Sequence, residues 1–482
     1  MERSLKVEDE LFVMGRDQLK QEFPDYLLNG LSDDDYIVTT PLRRSGALVS
    51  GGVVKYLQDV SQGADPNQDV PIRNQLIRLG MLYRNDAPKR NVVHENVYAP
   101  TRVTLMPTWN CNLRCLYCYS NGGENPGPMM DFAVAKSAID FIAENAGLRG
   151  APSIGVGFHG GGEPLLHANM DFIKQTVEYL RGVGNKTGLK TSVSSATNGV
   201  FSHPEDLEWI TQNFGNLNIS LDGTADVQNA QRPKLSGGNL VASFPDVMRT
   251  VGYLEDKKFP YGVRATITDD SVSRMPEFVE FLKANTSLKR AHLEPLFECG
   301  RCKTTKIRAP KPDEFVKYFI EAKRLGRKIG MELYYSGGSL EASHDTFCGA
   351  CGSNFFIAPN GKVTTCLEVS REDDDMHDLF VVGRHDPKSP TGFITDDGKL
   401  KTLRNRTVDK VKGCEDCFAK YSCAGDCLAK SHAETGSLTS SDGNKRCWPN
   451  KAILLEETIH RLTAPNDKKE GGCCKDVSRK GC

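Results

Sequence analysis

Apolar positions recur along this chain with two periods, and the expected element changes where the period changes. In Gly51-Gly-Val-Val-Lys-Tyr-Leu-Gln-Asp-Val60 the apolar residues fall at helical spacing. A second helical stretch, residues 72–82, follows a start signal at Pro71 and runs into Gly80-Met-Leu-Tyr83, which can turn into a strand. Helix, helix and strand suggest a small winged-helix-like domain over residues 1–98. From residue 99 short apolar runs alternate with longer amphipathic ones. Residues 102–106, 154–158, 190–193, 217–221, 263–267 and 291–294 read as strands, and 133–146 and 172–181 as helices. Strands separated by helices imply parallel βαβ units. The expected fold class is α/β, with a partial (β/α)6 TIM-like barrel over residues 99–340 and a cysteine-rich domain over 341–482. Functional residues of such a barrel belong at the C-terminal ends of its strands.

Composition narrows the function. The chain has 482 residues, with Lys+Arg 61 against Asp+Glu 62. This balance gives no electrostatic footprint for nucleic acid or for a membrane surface. No apolar run is long enough to span a bilayer, and Met-Glu-Arg-Ser-Leu-Lys lacks the apolar core of a signal peptide. A soluble cytoplasmic protein is the expectation. Sixteen cysteines are many for such a chain; none precedes Cys111, and eleven lie from Cys348 onward. Uneven placement implies separate metal or cluster sites rather than a disulfide framework.

The first cysteines read Cys111-Asn-Leu-Arg-Cys115-Leu-Tyr-Cys118. Three thiolates on one short loop can hold three irons of a [4Fe–4S] cluster and leave the fourth open. Zinc is the plainer alternative, but zinc sites favour paired partners at matching spacing, and none lies close by. After the second expected strand comes Phe158-His-Gly-Gly-Gly-Glu163-Pro164, where consecutive glycines permit close backbone approach and a carboxylate can meet an ammonium group. Later come Cys348, Cys351, Gly361 and Cys366, then Cys414-x2-Cys417-x5-Cys423-x3-Cys427, and Cys447.

Together these motifs resemble the radical S-adenosylmethionine (SAM) family, and within it the peptide maturases that carry a C-terminal SPASM extension. The resemblance implies SAM on the open iron of the Cys111/Cys115/Cys118 cluster, cleaved there to a 5′-deoxyadenosyl radical. It implies that Gly161, Gly162 and Glu163 hold the SAM amino group. Asn198, Ser220 and Asp222 at strand ends lie near the ribose and carboxylate. Arg232 takes the carboxylate, Tyr117 packs near the adenine, and the backbone at Leu296 contacts it. It also implies two auxiliary [4Fe–4S] clusters, the first on Cys348, Cys351, Cys366 and Cys427 and the second on Cys414, Cys417, Cys423 and Cys447. One of Cys348 and Cys351 could instead be no ligand, leaving that cluster with an open iron. The counts give three clusters, with zinc ribbons the alternative for the last eight thiols. Residues 1–98 resemble precursor-recognition elements, which bind a leader peptide as an added strand.

The reading that follows is maturation of a ribosomally made precursor peptide, with a flavodoxin or ferredoxin as electron donor and a thioether joining a Cys sulfur to a carbon. Carbon–carbon crosslinking, or formylglycine formation by an anaerobic sulfatase-maturing enzyme, is the alternative; a DNA-binding redox sensor would lack its basic footprint. Cys299 and Cys302 follow the sixth strand and could serve redox chemistry, substrate handling or packing. Residues 467–482, with Cys473, Cys474 and Cys482, are polar and expected to be a mobile tail.

Overall fold

The computed structural model describes residues 6–7, 11–43, 45–64, 70–83, 98–341 and 343–464. Cys473, Cys474 and Cys482 lie outside the described residues. The chain forms two compact units, divided differently from the boundaries at 98/99 and 340/341. One comprises Met1–His94, Ser336–Phe347 and Arg406–Cys482; the other comprises Glu95–Tyr335 and Cys348–Asn405.

The larger unit is built on strands that fall on the expected runs, four of them longer by one to four residues, the first one residue shorter and the fourth shifted by one. They are β1 (Arg102–Leu105), β2 (Ser153–Phe158), β3 (Lys190–Thr197), β4 (Asn216–Ser220), β5 (Tyr261–Ile267) and β6 (Arg290–Pro295). A seventh, β7 (Glu332–Tyr334), extends the sheet beyond the expected six. All seven pair in parallel, in chain order. Intervening helices include α1 (Phe132–Arg149), α2 (Met170–Thr187), α3 (Pro204–Asn213), α4 (Phe244–Asp256), α5 (Met275–Asn285) and α6 (Pro312–Ile329). Beyond β1 the sheet continues through Phe356–Ile357, parallel to it, then Lys362–Thr364, Val381–His385 and Phe393–Thr395, all antiparallel. The segment after Cys348 is thus built onto the barrel sheet itself.

Alternation sorts the strand residues onto two faces. Val103, Val156, Val193, Ile219, Val263, Ala265 and Leu293 are buried. The residues between them are small or polar: Thr104, Gly155, Gly157, Ser192, Ser194, Asn218, Ser220, Arg264, Thr266 and His292. Register links this second set across the strands, as in Arg102–Gly155–Ser192 and Asn218–Gly262. Arg102 donates to Ser192 Oγ at 3.0 Å, and a Cβ on Gly155 would strike both side chains. One face is an apolar core, and the other is the more polar interior of a barrel.

The smaller unit joins the two ends of the chain. Its N-terminal part is a three-stranded antiparallel sheet in the order Phe12–Gly15, Asp35–Thr40, Ser45–Ser50. The sequence reading omitted these strands and found the helix Gly51–Ser61. The next helix, Val70–Arg78, ends before Gly80, whose φ of +70° breaks the turn, and Leu82–Tyr83 pairs antiparallel with Lys6–Val7. The C-terminal helix Cys447–Thr463 packs on this sheet's side: Trp448 stacks on Phe23 and donates to the Glu22 carbonyl at 3.1 Å.

Candidate active site

The loop after β1 carries Cys111, Cys115 and Cys118. Its shape is fixed by backbone pairing: Arg114 N–H donates to Pro233 (2.8 Å), Leu116 to Gln231 (2.9 Å) and Gly123 to Trp109 (2.8 Å). Cys115 is buried, while Cys111 and Cys118 are half-buried. The thiols are already dressed with donors, Leu113 N–H at 3.4 Å from Cys111 Sγ and Gly122 N–H at 3.3 Å from Cys118 Sγ. Burial pushes the Cys111 thiol up to about 12, helped by the nearby Cys115 and Glu163, and burial lifts Cys115 to about 11 against the pull of Arg232. Metal would therefore displace protons on binding. Among the described residues no three His, Cys, Asp or Glu side chains gather as a single-ion site requires. A cubane asks for something else, since each thiolate takes a different iron.

The Gly-Gly-Glu segment is spent on docking this loop. Gly162 N–H donates to Thr108 at 2.9 Å and Glu163 N–H to Asn110 at 2.8 Å, while Ser120 Oγ donates to the Gly161 carbonyl. A Cβ on Gly162 would fall inside the Asn110 carbonyl, and Gly161 holds φ +68°. The glycines are needed because backbone meets backbone here. Glu163, 4% exposed, accepts from Thr197 Oγ1 (2.8 Å), Asn198 N–H (2.7 Å) and Leu165 N–H (3.0 Å). Burial nevertheless raises its pKa, with these donors opposing. A carboxylate has about four acceptor positions, so one remains for an ammonium group. Asn198 Nδ2 bonds Asn112 Oδ1 at 2.7 Å and reaches Cys111 Sγ at 3.8 Å.

Tyr117, Asp222 and Arg232 come together, chiefly facing one another. Tyr117 donates to Asp222 Oδ2, Arg232 Nη1 donates to Tyr117 at 2.6 Å, and Gln231 and the Thr266 N–H complete Asp222 at 2.9 and 3.0 Å. Burial of Tyr117 drives its pKa well up, with Arg232 opposing. Arg232 Nε has no partner among the described residues, an orphaned buried donor of the kind a ligand carboxylate satisfies. Ser220 ends β4 half-buried on the interior face. Leu296 is 7% exposed and its N–H is taken by Ile267 at 2.8 Å, leaving the carbonyl for a ligand.

The sequence reading missed Arg301. It lies between Cys299 and Cys302 on the turn after β6 and is 7% exposed. Its N–H donates to Cys118 O (2.9 Å), Nη1 to Cys115 O (2.7 Å), Nη2 to Gly122 O (3.0 Å) and Nε to Glu124 (2.6 Å). The Cys-x-x-Cys spacing drew the eye to the thiols; only the fold brings the arginine to the loop.

Of the auxiliary cysteines, Cys348, Cys351 and Cys366 belong to the larger unit and Cys427 to the smaller. Cys414, Cys417, Cys423 and Cys447 all lie in the smaller unit and feel one another electrostatically. Burial raises all four thiols, Cys447 to about 12 and Cys423 well above its ordinary value. Asn450 Nδ2 lies 3.3 Å from Cys423 Sγ, and the buried Asp426–Arg446 pair closes at 3.0 Å.

A three-cysteine loop at the C-terminal end of the first barrel strand, docked on a Gly-Gly-Glu turn, defines the class. Residues 105–282 match the radical SAM superfamily, and the chain carries a radical SAM domain, an enzyme class that uses SAM and a [4Fe–4S] cluster. Relatives divide in how far they extend. An uncharacterised protein of Methanocaldococcus jannaschii is 31% identical over 180 residues, 37% of this chain and 57% of its own length. A cysteine-type anaerobic sulfatase-maturating enzyme of Clostridium novyi is 25% identical over 36% of this chain and 45% of its own. The mycofactocin maturase MftC of Mycobacterium tuberculosis is 27% identical over 351 residues, 69% of this chain and 79% of its own. Among solved structures, the anaerobic sulfatase-maturating enzyme anSMEcpe with bound AdoMet superposes with a TM-score of 0.58 at 19% identity, over 76% of this chain and all of that one; at that identity the likeness is one of fold. Among the described residues no helix is long and apolar enough to cross a membrane.

Proposed function

We propose that this chain is a maturase that modifies a ribosomally made precursor peptide, and that it forms a thioether between a cysteine sulfur and a carbon. The observation that carries the reading is a pair of cysteine sets in one chain: the radical SAM loop, and the four thiols Cys414, Cys417, Cys423 and Cys447 of the smaller unit. The extent of the match to MftC supports it, and so does anSMEcpe, solved with AdoMet and with a cysteine-bearing peptide.

In this reading Cys111, Cys115 and Cys118 hold the first cluster. The spare acceptor of Glu163 takes the SAM ammonium and the orphaned Arg232 Nε its carboxylate, with Tyr117, Asn198, Ser220, Asp222 and Leu296 lining the remainder. Held by these residues, cluster and SAM would supply the one-electron chemistry needed to remove hydrogen from an unactivated carbon. The chain's part is placement. Arg301 and the glycines hold the loop rigid, and the barrel walls keep water from the reacting carbon. Joining sulfur to carbon removes two hydrogens from the peptide, so one further electron must leave. The two auxiliary sets, Cys348/Cys351/Cys366/Cys427 and Cys414/Cys417/Cys423/Cys447, would hold its acceptors, giving three clusters in all. A flavodoxin or ferredoxin supplies the reducing electron. The edges of the N-terminal sheet offer backbone groups to a leader peptide.

Formylglycine formation is the second reading, favoured by the match to sulfatase-maturating enzymes. Product mass separates the two. A loss of two hydrogens with no free thiol remaining on the modified cysteine supports a thioether, whereas cysteine converted to an aldehyde overturns it. Iron content tests the cluster count. About twelve irons should fall to about eight when Cys111, Cys115 and Cys118 are replaced by alanine, and four irons that vanish altogether would refute the auxiliary clusters.

A further inference from the structure

Among the described residues, several interior charges of the barrel are answered where they stand. Arg102 donates to Ser192, Arg290 to Glu332 at 3.0 Å, and His292 Nε2 lies 3.2 Å from Glu294 Oε2. Arg264 stands on the same face, opposite Ser220 of β4 and His292 of β6. It is exposed, and among the described residues its guanidinium has no hydrogen-bond or ion-pair partner.

Its field reaches two groups at the mouth of the site. One is His159, directly after β2, and the other is Tyr119, directly after Cys118. Burial, with Arg264's charge added, lowers the His159 pKa to about 4, so its imidazole is neutral and can donate without adding charge. Ser194 and Ala196, on the interior face of β3, are small side chains. A guanidinium with empty donors beside a neutral imidazole and a phenol suits a planar anion, which it can grip with two parallel bonds.

We propose that Arg264 anchors a carboxylate of the peptide substrate, with His159 and Tyr119 as flanking donors, and so fixes which residue lies beside the Cys111/Cys115/Cys118 loop. This rests on the peptide-maturase reading. The carboxylate can belong to an Asp or Glu side chain or to a peptide C-terminus.

The test uses anaerobically reconstituted holoenzyme with SAM, wild type beside Arg264→Gln and Arg264→Lys. Calorimetry would compare three blocked tripeptides: acetyl-Ala-Asp-Ala-amide, acetyl-Ala-Asn-Ala-amide and acetyl-Ala-Ala-Ala with a free carboxylate. Wild type should bind one carboxylate probe at least tenfold more tightly than the Asn probe, and which one identifies the source. In Arg264→Gln that preference should shrink below twofold, with Arg264→Lys between. Equal binding of all three probes by wild type would overturn the assignment and leave the peptide reading standing. So would a preference that survives in Arg264→Gln, or a tenfold loss of SAM affinity there without any probe preference in wild type, which would give the cation to SAM. If wild type binds SAM but none of the tripeptides, the assignment to Arg264 falls, and the peptide reading stands or falls on the product-mass test.

Discussion

Replacing Arg301 with glutamine should loosen the cysteine loop without unfolding the barrel. The side chain makes two charged hydrogen bonds to carbonyls, Cys115 at 2.7 Å and Gly122 at 3.0 Å, and one to Glu124. Bonds from a charged donor contribute about 1.5–3 kcal/mol each. The Glu124 side chain is 52% exposed, so solvent screening leaves that third bond a small addition. Opening the loop breaks all of them, and their loss should lower the opening free energy by about 3–5 kcal/mol. At about 1.4 kcal/mol per factor of ten, amide hydrogens of residues 111–123 should exchange about 100- to 4000-fold faster. Hydrogen-exchange mass spectrometry on the metal-free protein would read this directly. Strands β2 to β5 should keep their protection. Arg301→Lys should fall between, because an ammonium cannot reach both carbonyls with a planar fork. Exchange within threefold of wild type in Arg301→Gln would refute the clamp.

Other consequences can be checked with simpler variants. Glu163→Gln places an amide N–H₂ among three donors, at a cost of about 1–3 kcal/mol, and SAM affinity measured by equilibrium dialysis should fall about tenfold or more. Gly162→Ala should abolish iron retention, since its Cβ collides with the Asn110 backbone, whereas Gly182→Ala, in the exposed middle of α2 with open space around it, should raise the unfolding midpoint by about 0.5–1 kcal/mol worth of helix propensity. His159 titrates lower in the fold than in the unfolded chain, so the stability it confers is complete above about pH 6.5 and is lost as pH falls towards its folded value of about 4. Denaturant melts of the metal-free protein should therefore show wild type losing more stability than His159→Asn between those pH values. Equal losses would contradict the buried neutral imidazole.

Much of the barrel was legible because its strands are apolar on one face and β-branched, as in Ile154-Gly-Val-Gly-Phe158 and Val263-Arg-Ala-Thr-Ile267. The three residues of β7 are too few to show a period. The N-terminal strands Asp35–Thr40 and Ser45–Ser50 were passed over because polar residues interrupt them; their Val38, Ala47 and Val49 are buried against Val53, Val54, Leu57 and Leu76 of the two helices that follow. The cysteine spacings announced the chemistry, yet they could not say which side chains hold the loop in place. That Tyr117, Asp222 and Arg232 bond one another, or that an arginine clamps the loop from the turn after β6, depends on strands brought together by the fold.

The smaller unit is made from both ends of the chain, and that has a consequence for biosynthesis. Its N-terminal strands leave the ribosome before the final helix, but Phe23 and the Glu22 carbonyl meet their partner Trp448 only when that helix has been made. The 299 residues of the larger unit must emerge in between, so this unit bears a loop-closure entropy and closes last. Until then its sheet edges and apolar side chains remain open to misassociation, which makes the unit the natural client of a chaperone in an otherwise locally wired protein.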